Sequence, residues 1–209
     1  MKLYIVRHGE TSLNALGVMQ GWLDEPLNNN GRYLAQLTGK ALKDIPFDCC
    51  FSSPFVRAVE TVKIILDVSG NDIPIITDDR IKEINFGDIE GKKLSVLGDY
   101  GNLFFSDPFK FPGFPNGECV QEVCKRTQEF LKELLERKDN STILIGVHGC
   151  ALRAMLNYLY DDPSDYWHGH VPYNCAVSII QANNGVEKLI ADDKIYYPSS
   201  YAIDYFVND

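Results

Sequence analysis

Leu3-Tyr4-Ile5-Val6-Arg7-His8-Gly9-Glu10-Thr11 is the stretch that decides how this chain folds. Leu3, Tyr4, Ile5 and Val6 form a continuous apolar run, the pattern of a strand buried on both faces of a sheet. Gly9 tolerates backbone conformations that other residues resist, so a sharp turn directly after the strand costs little. That turn leaves an imidazole, His8, beside a guanidinium, Arg7, at the strand end. The first is a nitrogen nucleophile and the second a planar fork of donors for phosphate oxygens. A lone histidine behind a strand is more often a hydrogen-bonded structural residue, so the rest of the chain has to decide.

Thr142-Ile143-Leu144-Ile145-Gly146-Val147-His148-Gly149 repeats the pattern: an apolar strand ending in His-Gly. Ligands of α/β sheets gather beyond the carboxyl ends of the strands, so two such strands can bring His8 and His148 to one site. Ser52-Ser53-Pro54-Phe55-Val56-Arg57-Ala58 places Arg57 in the first turns of a helix. Free N–H groups at a helix start favour anions, and an arginine there adds bidentate contacts. Glu83-Ile84-Asn85-Phe86-Gly87-Asp88-Ile89-Glu90-Gly91 is a polar loop in which Glu83 is the candidate general acid. Asp88 and Glu90 read as loop-structuring.

The 209 residues suit one domain over 1–209, with 45% hydrophobic and 23% charged residues as in an ordinary globule. A net charge of −9 argues against a nucleic-acid binder and against anionic membranes as partners. An anionic ligand must therefore be drawn by a local cationic cluster. No segment reaches the roughly 18 apolar residues that span a bilayer. Met1-Lys2-Leu3 runs straight into the first strand without a secretory signal, which predicts a cytoplasmic protein. Cys49, Cys50, Cys119, Cys124, Cys150 and Cys175 contain no CxxC pair and read as reduced thiols. His168-Gly169-His170 with Cys175 lacks an evident third or fourth ligand, so no metal site is predicted.

Strand-like and helix-like segments alternate, the order of an α/β layer fold. Strands are expected over residues 3–7, 48–52, 73–77, 141–147, 175–181 and 186–191, the last two a hairpin across Asn183-Asn184-Gly185. Asn28 caps a helix carrying Leu34, Leu37, Ala41 and Ile45, stopped by Pro46. Ser53-Pro54 supplies a cap and a first-turn proline for a helix with Ala58, Val62, Ile65 and Leu66 inward. Gly117-Glu118 opens a long helix with Val120, Val123, Thr127, Phe130, Leu131 and Leu134 on one face. A further helix carries Leu152, Met155, Leu156 and Leu159. Residues 94–117, rich in Phe, Pro and Gly, read as an inserted cap over a pocket. The aromatic tail from Tyr196-Tyr197 to Tyr205-Phe206 is expected to pack on the body or on a partner.

Four motifs in this order resemble the histidine phosphatase superfamily, the phosphoglycerate mutase-like family. The likeness extends to Gln20-Gly21-Trp22-Leu23-Asp24-Glu25-Pro26-Leu27 with Gly31, to Pro115-Asn116-Gly117-Glu118 and to Pro172-Tyr173-Asn174. The resemblance implies a three-layer α/β/α sandwich and a covalent phosphohistidine intermediate, without metal or other cofactor. It implies His8 as nucleophile, Glu83 as proton donor and His148 as a further catalytic group. Arg7, Asn14, Arg57 and Gly149 would bind the phosphate, and Gln20 and Gly21 the rest of the substrate.

A mutase must hold a second anionic group and keep water away from the phosphoenzyme. In the mutases of the family, an Arg and a Tyr follow the glutamate; here Ile84, Asn85 and Phe86 stand there. Residues 94–117 carry one basic side chain, Lys110, with Lys92 and Lys93 just before, and five phenylalanines: Phe104, Phe105, Phe109, Phe111 and Phe114. The expected activity is hydrolysis of a small phosphomonoester with an apolar or weakly charged leaving group. A phosphoglycerate mutase, rescued by those lysines, and a non-catalytic phospholigand-binding relative are the alternatives. A homodimer stays open.

Overall fold

In the computed structural model, which describes residues 1–183 and 185–203, the opening apolar run becomes strand β1, Lys2–Arg7, at the heart of a six-stranded sheet. The other strands are β2 (Cys49–Ser52), β3 (Ile75–Thr77), β4 (Thr142–Val147), β5 (Val177–Asn183) and β6 (Val186–Lys194). The sheet order is β3-β2-β4-β1-β5-β6, and β1 to β4 run parallel while β5 lies antiparallel to both its neighbours. The helices are α1 (Ser12–Ala15), α2 (Asn29–Ala41), α3 (Val56–Ser69), α4 (Asp99–Ser106), α5 (Val120–Glu136) and α6 (Gly149–Leu156).

Alternation along β1 sorts the two faces. Leu3 and Ile5 pack with Phe130, Leu131 and Leu134 of α5 and Leu152 and Met155 of α6. Tyr4 and Val6 pack with Val62, Ile65 and Leu66 of α3, and α2 lies beside α3. The result is the α/β/α sandwich. Truncating Leu3 or Ile5, both fully buried, would cost about 2–5 kcal/mol through lost burial and a cavity.

The parallel register sets the site. Arg7 pairs with Val147, so His8 and His148 each lie one residue past a matched pair. Ser52 pairs with Gly146, which brings Ser53 level with Val147.

Asn28 caps α2 as read, its side chain accepting the Gly31 N–H at 2.8 Å. The helix ends at Ala41, short of Ile45, because the residue before a proline avoids the helical region. Ser53-Pro54 does not open α3: Phe55 is the N-cap, and the Val56 N–H goes to Asp24 Oδ1 at 2.7 Å. Ser53 is diverted to His148. β3 starts at Ile75 rather than residue 73, since Pro74 has no N–H for a ladder. α5 starts at Val120 with Cys119 as N-cap, and Leu159 falls in a 3₁₀ turn after α6.

The single turn α1, capped by Thr11, has no apolar periodicity and was not expected. Gly9 is needed for close approach rather than for a positive φ: a Cβ there would lie 2.7 Å from the Gly31 carbonyl oxygen. Tyr197 is buried and its hydroxyl donates to the Asn174 carbonyl. Asn184 of the hairpin turn and Tyr205 and Phe206 of the tail lie outside the described residues. All six cysteines are free thiols. Among the described residues no helix is long and apolar enough to cross a membrane.

Residues 94–117 form a 3₁₀ turn (Leu94–Leu97), α4 and an irregular return. Phe104, Phe111 and Phe114 are buried with Phe86, Tyr166 and Trp167 in a cluster separate from the two sheet faces.

Candidate active site

His8 follows β1 and is 3% exposed; His148 follows β4 and is wholly buried. Their ring centroids are 5.1 Å apart. His8 Nδ1 lies 2.7 Å from the Gly9 carbonyl oxygen. A carbonyl only accepts, so Nδ1 carries the proton. Burial first, then the charges of Arg57 and Arg7, push the His8 ring well below the ordinary histidine range. A neutral ring with its proton on Nδ1 has its lone pair on Nε2. His148 is also pushed down, by burial and then by Arg57 and His8. Its Nε2 is 2.7 Å from Ser53 Oγ, and its Nδ1 has no hydrogen-bond partner in the protein.

A cleft beyond the strand ends is lined by Arg7, His8, Asn14, Gln20, Gly21, Arg57, Glu83 and Gly149. Arg7 donates through Nη1 to the Pro172 carbonyl, and its Nε is buried without a partner. Arg57, 1% exposed, donates Nη1 to the Leu23 carbonyl at 2.9 Å and Nη2 to the Gly21 carbonyl at 2.6 Å. Its Nε also lacks a partner. Burial pulls the Arg57 guanidinium down to about 10, against the pull of Glu83 and Asp24, which leaves it charged at neutral pH. Asn14 Oδ1 accepts the Thr11 N–H at 3.2 Å, and Gln20 Oε1 accepts the Thr11 hydroxyl at 2.9 Å.

Glu83 sits at the start of α6. Its Oε1 accepts from Ile84 N at 2.9 Å and Ala151 N at 3.0 Å, and its Oε2 from Cys150 N at 3.3 Å. Two buried guanidiniums, the neutral His8 imidazole and one carboxyl thus converge on one cleft, with the neutral His148 ring 5.1 Å from that of His8. Residues 3–191 match the model of the histidine phosphatase superfamily, branch 1. The chain belongs to that superfamily. It is 34% identical over 174 residues to the 2,3-bisphosphoglycerate-dependent phosphoglycerate mutase of Cytophaga hutchinsonii, covering 79% of this chain and 81% of that protein. It is 34% identical over 154 residues to the uncharacterized phosphatase PhoE of Bacillus subtilis, covering 73% and 74%. The solved structure of Bacillus stearothermophilus YhfR superposes with a TM-score of 0.86 at 32% identity, covering 93% of this chain and 97% of that one. Relatives in the superfamily thus bear both mutase and phosphatase names.

Of the residues singled out from the sequence, His8, Glu83, Arg7, Asn14, Gln20, Gly21, Arg57 and Gly149 all line the cleft. His148 is not among the cleft-lining residues; its ring lies beside that of His8, with centroids 5.1 Å apart. The remaining wall is apolar: Val18, Met19, Phe86, Phe104, Phe105, Trp167 and Val171, with Cys150. Lys92 donates to the Asp88 carbonyl and Lys110 pairs with Asp107 at 2.7 Å; neither they nor Lys93 line the cleft. His168 stacks on Tyr160, and His170 pairs with Asp193 at 3.2 Å. Glu90 Oε1 accepts the Trp22 N–H at 2.8 Å and the Phe86 N–H at 3.2 Å, the loop-structuring role expected of it. Sequence reading missed Ser53, which looked like a helix cap; only the β2–β4 register reveals its histidine partner.

Proposed function

We propose that this chain is a phosphomonoester hydrolase that works through a phosphohistidine on His8 and acts on a small phosphorylated metabolite. The observation that carries the reading is the Nδ1–H···O=C bond from His8 to Gly9. It leaves an Nε2 lone pair at a cleft walled by Arg7, Arg57 and Glu83.

In this reading Nε2 attacks phosphorus in line. The ester P–O bond breaks, its electron pair stays on the leaving oxygen, and Glu83 gives that oxygen a proton. Arg7 and Arg57 hold the equatorial oxygens, where charge spreads in the transition state. In this reading the Ser53 hydroxyl, 2.7 Å from His148 Nε2, donates to it, which puts the His148 proton on the otherwise unpartnered Nδ1 as a further donor. Asn14 and Gly149 flank the phosphoryl group; Gln20 and Gly21 meet the leaving group. Water then attacks phosphorus, the P–N bond returns its pair to Nε2, and Glu83 takes the water proton. Neither metal nor dissociable cofactor takes part.

Hydrolysis is favoured over mutase action by the composition of the wall. Arg7 and Arg57 are the cationic side chains lining the cleft among the described residues, and both are committed to phosphate in this reading. The opposite wall, with Phe104, Phe105 and Trp167, suits an apolar or weakly charged leaving group. Residues 94–117 then act as a cap on a single domain, and six free thiols fit a cytoplasmic setting.

The test is phosphate release across a panel of monophosphates, with phosphoglycerate assayed with and without a bisphosphoglycerate primer. Hydrolysis faster than isomerisation is expected. Primer-dependent isomerisation with little phosphate release would assign a mutase, and phosphate binding without turnover a non-catalytic relative.

A further inference from the structure

Glu118, in the Pro115-Asn116-Gly117-Glu118 motif, has no place in the reaction just described. Its partner is Arg126 of α5, and the pair is largely buried, with 19% and 17% of the side chains exposed. All five N–H donors of Arg126 are engaged. Nε reaches Glu118 Oε1 and Nη2 reaches Glu118 Oε2, each at 2.8 Å. Nη1 donates to the carbonyls of Arg80 at 2.8 Å and Lys82 at 2.6 Å. Nη2 also donates to the Glu83 carbonyl at 2.9 Å.

Glu118 completes the grip from the other side. Its Oε2 accepts the Asn85 N–H at 2.9 Å, and its own backbone N–H donates to the Asn85 carbonyl at 2.9 Å. The backbone is thus held at 80 and 82 before the carboxyl-bearing residue, at 83 itself and at 85 after it. That segment lies between two 3₁₀ turns, Asp79–Ile81 and Gly87–Ile89, with no ladder or helix of its own to fix it. The start of α6 orients the Glu83 carboxyl through Cys150 N and Ala151 N, so the main chain beneath needs a separate anchor.

We propose that Arg126, braced by Glu118, is the positioning residue for proton transfer by Glu83. This rests on the reading of Glu83 as the group that protonates the leaving oxygen. A guanidinium suits the task because its planar fork spreads over three carbonyls and a carboxylate at once; an ammonium offers three donors from one point. Misplacing a reacting group by about 1 Å can cost about 100-fold, so a loosened clamp should show in the proton-dependent step before it shows elsewhere.

The experiment compares kcat/KM for glycerol phosphate, whose alkoxide needs a proton to leave, with that for p-nitrophenyl phosphate, whose phenolate does not. The proteins are wild type, Glu83→Gln, Arg126→Lys, Glu118→Gln and the Glu83→Gln/Arg126→Lys double variant, with thermal melts of each. Arg126→Lys keeps the charge and is expected to lose about tenfold or more on glycerol phosphate and less than about threefold on the aryl ester. Glu118→Gln should show the same selectivity and stands in if Arg126→Lys does not fold. In the Glu83→Gln background, Arg126→Lys should add no further selective loss. Equal losses on both substrates in the Arg126 and Glu118 variants would overturn the proposal while a selective loss in Glu83→Gln left the acid assignment standing. Equal losses in Glu83→Gln itself would remove the acid assignment and the positioning role with it.

Discussion

The imidazoles of His8 and His148 lie with ring centroids 5.1 Å apart and tilted by 58°, at the ends of two neighbouring parallel strands. Two cationic rings at that spacing would repel. Burial, reinforced by Arg57, holds both well below the usual value of 6.5. The unfolded chain therefore binds more protons than the folded one between pH 6.5 and the lowered folded values, and stability is lost as the pH is lowered through that window. Above about pH 7 these histidines contribute no slope. Thermal unfolding from pH 8 to 5 should show Tm flat and then dropping, and His148→Asn should flatten the drop. A Tm that rises on acidification would contradict a neutral pair.

His8→Ala should abolish turnover, by about 10⁴-fold or more as for other removed nucleophiles, while leaving the sheet intact. Brief exposure of the wild type to labelled substrate should leave an acid-labile, base-stable label on the protein, absent from the variant. Residual turnover near the wild-type rate would defeat the phosphohistidine mechanism.

Much of this site was legible because its parts are local. A buried apolar run ending in His-Gly announces both strand and imidazole, and it does so twice, at His8 and at His148. Arg57 was readable from its place after a strand, although the helix start slipped from Ser53-Pro54 to Val56. What stayed hidden depends on register and on distant pairing. Ser53 meets His148 because Ser52 pairs with Gly146, and the Val56 N–H is capped by Asp24 from another loop. Arg126 has no local signature at all; its role exists because α5 packs beside the 79–81 turn. The phenylalanines of 94–117 divide in a way composition cannot show: Phe104 and Phe105 line the cleft, whereas Phe111 and Phe114 do not.

Ser53→Ala tests the His148 tautomer. It removes the hydroxyl 2.7 Å from Nε2 and leaves the ring free to move its proton there. A lost buried hydrogen bond costs about 1–3 kcal/mol, so phosphate affinity and kcat/KM should fall about 5- to 150-fold. Inhibition by inorganic phosphate gives the first and steady-state kinetics the second. Unchanged phosphate affinity would place His148 outside phosphate recognition.

Exhaustive EDTA treatment should leave the rate within about twofold. Arg7 and Arg57, both buried at the cleft, supply the charge that a divalent ion would otherwise bring to the phosphoryl oxygens. Loss of activity restored by Mg²⁺ or Zn²⁺ would show that the two arginines do not suffice.

Phe105→Ala tests the apolar wall. Phe105 is partly exposed at the cleft, against Phe104 and Trp167 with ring centroids 5.3 Å away in each case. Half-burial of a phenyl against a ligand is worth about 1 kcal/mol, a factor of about five. The KM for an aryl phosphate should rise by about that factor, because its ring loses a contact. The KM for glycerol phosphate should hardly move, since its leaving group buries little apolar surface. The kcat for both should stay close to wild type, as Phe105 has no part in the proton or phosphoryl transfer proposed. An equal rise for both substrates would mean that Phe105 shapes the phosphate site through α4. No rise for either would place the leaving group on another side of the cleft and remove the argument that the aromatic wall selects it.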